Sequence, residues 1–296
     1  MADASATRPR KALGGIRPSG ALAGVVPFFA YTAVFLVIPT IVVVVAAFVS
    51  EGRPTLGNIR ALGSANFLTA LKQSLILSIV TAFVGAVVGA VLAYAVSTAK
   101  PNGILKRFVT SLCGVLAQFG GVALAFAFIA SFGAQGMITA WLKKAGMAPS
   151  STLWLYDWNK GVLLVYLYFQ IPLMLIVFLP AVEGLRPQWR EATETLGGTT
   201  WTYWRRVAMP ILFPSFVGAT LLLFTNAFSA YATAAALVSQ AEPLVPLQIA
   251  GTFTSETVLG QANVGKAMAL AMVVVVAIVM TLYTWLDKRS SKWLVR

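Results

Sequence analysis

The chain has 296 residues, of which 58% are hydrophobic and only 10% are charged, and its mean hydropathy is +0.82. A soluble domain carries about 25% charged residues, so this composition excludes an ordinary soluble protein and indicates an integral membrane protein. The net charge of +13 raises the question of nucleic acid. The basic residues are dispersed among the loops, where they set the topology of a membrane protein, so we expect no nucleic-acid partner.

Six apolar runs of about 20 residues or more predict the fold class. Runs of this length cross a hydrocarbon core of about 30 Å as helices, since every backbone polar group is then bonded within its own segment. We therefore predict an all-α polytopic membrane protein with six transmembrane helices, surrounded by lipid. The predicted spans are residues 23–49, 75–96, 108–132, 161–182, 211–238 and 264–285.

The polar segments complete this organisation. We predict an N-terminal tail at 1–22, a six-helix domain at 23–286 that includes a polar loop at 184–210, and a C-terminal tail at 287–296. In the loop at 133–160, residues 138–145 are expected to form a short interfacial helix. In the second span, Gly85 and Gly89 form a small-residue stripe that predicts close helix packing.

The positions of the basic residues predict the orientation in the membrane. Six spans place both termini on the same side. Of the 22 Lys and Arg residues, 15 lie in the two tails, residues 98–107 and residues 184–210, against 7 elsewhere. Because Lys and Arg accumulate on the cytoplasmic side, both termini and the polar loop at 184–210 are predicted to be cytoplasmic.

The residue types needed for enzymatic chemistry are missing or isolated. The chain has no His, and its single cysteine, Cys113, lies inside an apolar run, so histidine triads, histidine metal sites and disulfides are excluded. All nine acidic residues lie in loops, in the tails or at the ends of spans, which argues against a proton relay. We predict no enzymatic activity, no metal site and no cofactor.

Weakly polar side chains inside the predicted spans are the candidates for a translocation path. They could line a water-accessible route for a polar solute, and interhelical hydrogen bonds explain any one of them equally well. The six candidates for the path are Gln118, Gln170, Thr225, Asn226, Ser229 and Tyr231. Thr233 is a further weakly polar residue of these spans.

The segment 187–210 is the longest polar interruption on the predicted cytoplasmic side, and its residues are patterned. Pro187 suits the first position of a helix, and Gly197-Gly198 breaks a helix where a residue without Cβ is needed. A second short segment follows and is expected to end at Pro210. It carries Trp201, Tyr203, Trp204, Arg205 and Arg206. The pattern predicts a helix, a glycine turn and a second helix, held between two spans as a docking element.

The spacing Glu191-Ala192-Thr193-x₃-Gly197-x₉-Val207-x-Met209-Pro210 resembles the EAA loop of membrane subunits of binding-protein-dependent ABC importers, whose pattern is E-A-A-x₃-G-x₉-I-x-L-P. Glu191, Ala192, Gly197 and Pro210 match this pattern. Thr193, Val207 and Met209 depart from it by small or apolar exchanges. The resemblance covers residues 70–290 and implies the fold of a type I importer permease, with the first span as an additional helix.

The resemblance also implies partners and a function. It implies a permease subunit of the bacterial inner membrane, paired with a second, similar or identical permease, two ATPase subunits and an extracytoplasmic solute-binding protein. ATP hydrolysis would take place on the ATPase subunits. The residues implied to contact them are Glu191, Ala192, Thr193, Glu194, Leu196, Gly197, Gly198 and Pro210.

The sequence says less about the solute. The run from Phe224 to Thr233 is similar to permeases of the polyamine, phosphonate, ferric-iron and thiamine branch. The loop 239–263 carries Glu242 and Glu256 but no Lys or Arg, which favours a cationic solute such as a polyamine, with an aminoalkylphosphonate also possible. Sugars, ferric iron and thiamine stay as alternatives. A channel or a self-sufficient secondary transporter is the alternative from another class.

Overall fold

This computed structural model describes residues 18–50, 52–100, 103–147, 154–238, 244–254 and 261–291. Six helical segments within these ranges are long and apolar enough to cross a membrane: Val25–Ala47, Ala65–Ser97, Gly121–Lys144, Lys160–Glu183, Thr200–Ser229 and Asn263–Trp285. The prediction of an all-α polytopic protein with six spans is confirmed.

The described residues form fourteen α-helices and one short β-hairpin. The hairpin pairs β1 and β2 antiparallel, with Val49 opposite Pro54. In chain order the elements are α1 (Pro18–Thr32), α2 (Ile38–Ala47), β1 (Val49–Ser50), β2 (Arg53–Pro54), α3 (Gly57–Arg60), α4 (Ala65–Ser97), α5 (Ile104–Gln118), α6 (Gly121–Phe132), α7 (Met137–Lys144), α8 (Leu163–Glu183), α9 (Pro187–Thr195), α10 (Thr200–Tyr203), α11 (Met209–Ser229), α12 (Ala232–Leu237), α13 (Val245–Thr254) and α14 (Gln261–Ser291).

Helices α4 and α8 pack along each other at the centre of the bundle, and α5 and α11 lie against them. Glycines make this approach possible. A Cβ added at Gly89 would lie 2.5 Å from Cβ of Met174 and 2.7 Å from the carbonyl oxygen of Ile171, and one added at Gly85 would lie 2.9 Å from Cβ of Gln170. The small-residue stripe predicted from the sequence is therefore the contact surface between α4 and α8.

The first span lies at the edge of the bundle. Helices α1 and α2 are joined by a π-helical turn at Ala33–Val37, and α2 packs against α14. Most of its apolar side chains stay exposed, Phe28 and Phe35 among them. After the hairpin, the Asn58 amide donates hydrogen bonds to the carbonyl oxygens of Ala47 and Val49 at 3.3 and 3.1 Å. This bond pair fixes the turn that leads toward α4.

Several predicted boundaries are wrong by a few residues to a few turns. Helix α4 begins at Ala65 rather than near residue 75, because Ser64 caps it and Phe67 and Ala70 are buried against Val245 and other apolar side chains. Helix α1 begins inside the predicted tail 1–22, and α14 continues to Ser291, inside the predicted tail 287–296. The rest of both tails lies outside the described residues. The polar loop after the fifth span contains α13, which the sequence reading lacked.

Two of the predicted continuous spans are interrupted. Within residues 108–132, α5 ends at Gln118 and α6 begins at Gly121, where φ is +69°. Within residues 211–238, α11 ends at Ser229, Ala230 is extended, and α12 begins at Ala232. We call these two sites the interior breaks. Each break lies inside a span predicted from the sequence and next to the end of a candidate span of the structure, Gly121–Lys144 or Thr200–Ser229. Backbone groups that a helix end leaves unbonded away from water must be bonded by other parts of the protein.

The structure supplies such bonds at both interior breaks. The Gly121 backbone N–H donates to Oγ1 of Thr233 at 2.9 Å, and the Tyr166 hydroxyl donates to the carbonyl oxygen of Ala230 at 2.7 Å. The first of these bonds joins one break to the other, and α6 and α12 pack together beside it. A helix is present at the predicted position 138–145 as α7, which follows α6 closely and belongs to the candidate span Gly121–Lys144; its interfacial position stays a prediction.

Candidate functional site

The 187–210 loop folds as its sequence predicts at the glycine turn. Helix α9 begins with Pro187 and ends at Thr195. The Gly197 N–H donates to the carbonyl of Glu194 at 3.0 Å, and the Gly198 N–H donates to that of Thr193 at 2.8 Å. This bond pair is a Schellman motif, which requires a left-handed residue after the helix. Gly197 provides it with φ of +75°.

The second half of the loop differs from the prediction at Pro210. Helix α10 is capped by Thr199, whose side chain forms a reciprocal capping box with Thr202. The chain then passes through a π-helical turn at Trp204–Ala208 directly into α11. The predicted end at Pro210 is wrong because this proline occupies the first turn of α11, next to a widened π turn, where a missing N–H is tolerated.

The loop is fastened to the end of the helix bundle. Tyr203 is buried, and the ring of Trp204 packs edge-on against that of Tyr94, with 5.0 Å between ring centroids. Close by, Nζ of Lys106 on α5 and Oε1 of Glu183 on α8 lie 2.5 Å apart. Packed aromatic side chains and the chain itself therefore join the loop to α4, α8 and α11.

The opposite surface of the loop is open. Glu191, Ala192 and Gly197 are exposed, and no ion pair engages the Glu191 carboxylate within the described part of the chain. Leu196 is 87% exposed and Trp201 is 69% exposed. A bare leucine and a bare tryptophan on a polar loop are typical of a protein-binding surface, where Trp is strongly enriched among the residues that carry the affinity.

The other predicted contact residues of the loop have partners of their own. Oε1 of Glu194 lies 3.1 Å from Nε of Arg190, one turn away, and both side chains are more than half exposed. The Thr193 hydroxyl donates to the Trp189 carbonyl at 2.8 Å. A Cβ added at Gly198 would lie 2.7 Å from Cγ2 of Thr193, so this second glycine is required for close packing.

Five of the six candidate path residues lie at the interior breaks or close to them. Gln118 is the last residue of α5 and is exposed. Asn226, Ser229 and Tyr231 are exposed at the end of α11 and just beyond it, while Thr225 is half-buried. The bond between Gly121 and Thr233 holds the two breaks together. The structure thus gathers these polar groups on a surface that the described residues leave uncovered.

Gln170 differs from the other five. It is 0% exposed, its Nε2 donates to the Leu223 carbonyl at 2.7 Å, and its Oε1 accepts from Nδ2 of Asn226 at 3.3 Å. These bonds join α8 to α11, so Gln170 follows the alternative of an interhelical hydrogen bond and does not line an open surface. Asn226 takes part in this joint and also reaches the exposed surface.

The interior breaks themselves and the bond from Tyr166 were not predicted from the sequence, whereas Thr233 was named there as a side chain that could form an interhelical hydrogen bond. One signal was present for the first break, the Gly120-Gly121 pair in an apolar run, since consecutive glycines are unfavourable within a helix. No comparable signal marks Ala230, which is preceded and followed by residues that helices accept.

Comparison with known proteins decides the family. The family model described as "Binding-protein-dependent transport system inner membrane component" matches residues 85–292. The chain belongs to this family. The match includes the central helices, the 187–210 loop and both interior breaks, so this family membership applies to the site as well as to the fold.

Curated relatives of this family member are named as sulfate or molybdenum transport system permease proteins. It is 31% identical to the sulfate transport system permease protein CysT of Escherichia coli (strain K12) over 34% of each chain. It is 27% identical to the molybdenum transport system permease protein ModB of Mycobacterium bovis over 54% of this chain and 56% of the relative. The chain thus spans about a third and about half of the length of these relatives. With the sulfate transport system permease protein CysW of a Synechocystis strain it shares 22% identity over 84% of its own length and 87% of the relative.

Solved structures show the same fold. A bacterial ABC transporter that imports the acidic polysaccharide alginate matches with a TM-score of 0.72 at 16% identity, over 92% of this chain and 96% of that one. The MetNI methionine ABC transporter matches with a TM-score of 0.53 at 16% identity, over 77% and 99%. At 16% identity these two matches show the fold alone. The family match makes this chain an inner membrane component of a binding-protein-dependent transport system, which is a transport component.

Proposed function

We propose that this permease translocates a small tetrahedral oxyanion of the sulfate or molybdate kind. Relatives named for sulfate and molybdate transport support this proposal. They give no support to the polyamine predicted from the sequence, and Glu242 and Glu256, on which that prediction rested, lie outside the described residues. The proposed solute is therefore an anion rather than a cation, and the protein remains a subunit of an importer.

The interior breaks carry the proposal because their chemistry suits an anion. The N-terminal end of α6 opens at the first break beside Gln118, and helix N-termini present backbone N–H groups and partial positive charge. Asn226 and Tyr231 add side chains that can donate hydrogen bonds, while the Ser229 hydroxyl already donates to the carbonyl oxygen of Thr225 at 2.8 Å. Within the described spans, Glu183 is the only acidic residue and it closes α8. A polycation would find no carboxylate along such a route.

We further propose that the 187–210 loop couples this route to ATP hydrolysis on two ATPase subunits. The exposed Leu196 and Trp201 would enter a cleft of the ATPase, and the exposed Glu191 would pair with a basic side chain there. The second permease, identical or homologous, would cover the exposed surface at the interior breaks. A solute-binding protein would deliver the anion at the opposite end of the bundle, and both termini would lie in the cytoplasm.

Uptake by proteoliposomes tests this function. The permease is reconstituted with its ATPase and binding protein, and the accumulation of labelled sulfate, molybdate or spermidine is measured with ATP inside the vesicles. We expect ATP-dependent uptake of an oxyanion and none of spermidine. Spermidine uptake would contradict the substrate class, and oxyanion uptake by the permease alone would show a secondary transporter or channel instead.

The variant Asn226→Ala links the uptake to the interior breaks. It removes a side-chain donor from the proposed route, so we expect a higher KM for the anion. The matched variant Asn58→Ala removes an amide from the hairpin region near β1, outside the route, and is expected to leave KM unchanged. Equal KM values for the two variants and the natural protein would place the route elsewhere.

A further inference from the structure

A cavity of about 580 Å³ lies between the 187–210 loop and the end of the helix bundle. Its walls come from both parts of the protein, which meet there without filling the space. The end of α4 contributes Tyr94, α5 contributes Lys106, the residue just before the loop is Arg186, and the loop contributes Arg190, Thr200 and Tyr203. We call this space the loop-side cavity. Its volume falls within the range of pockets that hold small ligands.

The charge of the loop-side cavity is positive. Three cationic side chains line it, Lys106, Arg186 and Arg190, against one carboxylate, Glu183. Glu183 pairs with Lys106, which leaves the two guanidinium groups. Arg190 pairs with Glu194 on the exposed surface of α9, and exposed ion pairs of this kind contribute little to stability. Arg186 forms no ion pair among the residues that the structure describes.

Neutral groups in the same walls complete an anion site. Tyr94, Tyr203 and Thr200 line the cavity, and each carries a hydroxyl that can donate a hydrogen bond. A guanidinium group binds phosphate oxygens in pairs, which makes arginine the preferred residue for such groups. The combination of two arginines with several hydroxyl donors fits one phosphate group with its oxygens directed at different walls.

The surroundings of the cavity are those of a lipid rather than of a free ion. Trp204 packs against Tyr94 at its edge, and Trp and Tyr gather at the level of lipid headgroups. Ile104 and Leu105, next to Lys106, are 87% and 68% exposed. Apolar side chains beside a basic pocket at the end of a span can contact acyl chains while the headgroup enters the pocket.

We propose that the loop-side cavity binds the phosphate of an anionic phospholipid through Arg186 and Arg190. The bound headgroup contacts the loop and the bundle at the same time, so it stiffens the joint through which the loop moves the spans. This inference rests on the structure of this end of the permease. It does not depend on which solute is transported, and its failure would leave the proposed oxyanion transport untouched.

Lipid retention in the complex with the ATPase tests the proposal. The purified complex is delipidated, incubated with phosphatidylglycerol, and the bound lipid is counted by native mass spectrometry. We expect the double variant Arg186→Gln/Arg190→Gln to bind phosphatidylglycerol about tenfold more weakly, because it loses both charged donors. Arg205→Gln/Arg206→Gln is the matched control, since it removes two exposed arginines from the same loop that do not line the cavity.

Two further arms separate a lipid from a free anion. Phosphatidylcholine should bind weakly and equally to all three proteins. Inorganic phosphate at millimolar concentration, added without lipid, should not raise the melting temperature of the complex. Equal loss of phosphatidylglycerol in both double variants would overturn the site. Stabilisation by inorganic phosphate that needs Arg186 and Arg190 would overturn the lipid and make the cavity a site for a soluble anion.

Discussion

At Gly197 the backbone has φ of +75°, and a Cβ added there would meet no atom within 4 Å. A side chain at this position would therefore meet no steric obstacle, and its cost would be backbone strain alone, because L-residues rarely adopt this conformation. The same description holds for Gly146, where φ is +70° and the space is also open. The two glycines differ in place: one turns the 187–210 loop and the other follows α7.

We predict that Gly197→Ala uncouples transport from ATP hydrolysis. The strained residue costs about 1 kcal/mol or more, which shifts the angle between α9 and α10 and moves Leu196 away from Trp201. The measurement is the ratio of anion uptake to ATP hydrolysis in proteoliposomes. Gly146→Ala carries the same backbone strain and should keep the natural ratio. A normal ratio in Gly197→Ala would mean that the turn is not part of the coupling.

Gln170 and Asn226 share one hydrogen bond but have different expected functions. We predict that Gln170→Leu lowers the melting temperature of the permease in detergent, because a buried joint between α8 and α11 is lost, at about 1 kcal/mol. The KM of the transported anion should change little in this variant. For Asn226→Ala we expect a raised KM together with a loss of stability of about 1 kcal/mol or more, because the buried Oε1 of Gln170 loses its donor. If Gln170→Leu raised the KM without loss of stability, Gln170 would belong to the translocation path.

At the level of single elements, the contact between α4 and α8 determines the shape of the bundle. Gly85 and Gly89 lie on the same side of α4, one turn apart, and α8 approaches them so closely that its backbone is within reach. Small residues at this spacing allow two helices to approach and gain dispersion contacts. The contact was predictable from sequence because it depends on residue type and spacing alone.

We predict that Gly89→Ala destabilises the permease. The added methyl would lie against Met174 and the carbonyl oxygen of Ile171, so the helices must separate, at a cost of about 1–3 kcal/mol. The melting temperature in detergent measures the change. Gly114→Ala is the control, because Gly114 lies inside α5 with no atom within 4 Å of the added Cβ, and alanine favours a helix. A Gly89 variant as stable as this control would contradict the packing.

The interior breaks were beyond the reach of the same sequence reasoning. Hydropathy over a window of about 19 residues measures whether a segment is apolar enough to insert, and it does not report whether the helix is continuous. The break at Ala230 depends on the Tyr166 hydroxyl, 64 positions away in the chain, and that at Gly121 depends on Thr233. Such bonds between distant residues exist only after the helices have packed.

For the 187–210 loop, in contrast, local turn chemistry was sufficient to predict the structure, except at Pro210, where a π turn joins the loop to α11.

For the whole molecule, the two ends of the helix bundle are formed by different elements. The end of α4, the start of α5, the end of α8 and the 187–210 loop surround the loop-side cavity. The hairpin, α13 and the start of α4 lie at the other end of a helix of 33 residues, which is about 50 Å long. Seven of the 22 Lys and Arg residues lie in residues 98–107 and 184–210, at the first end, and eight more lie in the two tails, which the proposed orientation places on the same side.

We predict that labelling from the two sides of the membrane reports this orientation. Cys113 is buried, so single cysteines can be introduced without removing it. Gln188→Cys should react with an impermeant maleimide only from the cytoplasmic side, and Leu56→Cys, 60% exposed at the other end, only from the outside. The reverse pattern would place the loop outside the cell, away from ATP.

Assembly with the ATPase is the most direct test of the proposed coupling, because that coupling needs the 187–210 loop to be the contact. Leu196→Asp places a charge on the most exposed apolar side chain of the loop, and Leu56→Asp makes the same exchange at the opposite end of the molecule. The tagged permease is purified from membranes that contain the ATPase, and the amount of bound ATPase is measured. We expect Leu196→Asp to retain at least about tenfold less ATPase than the natural protein, since buried anchors dominate such interfaces, while Leu56→Asp retains a normal amount. Normal retention by Leu196→Asp would contradict the account.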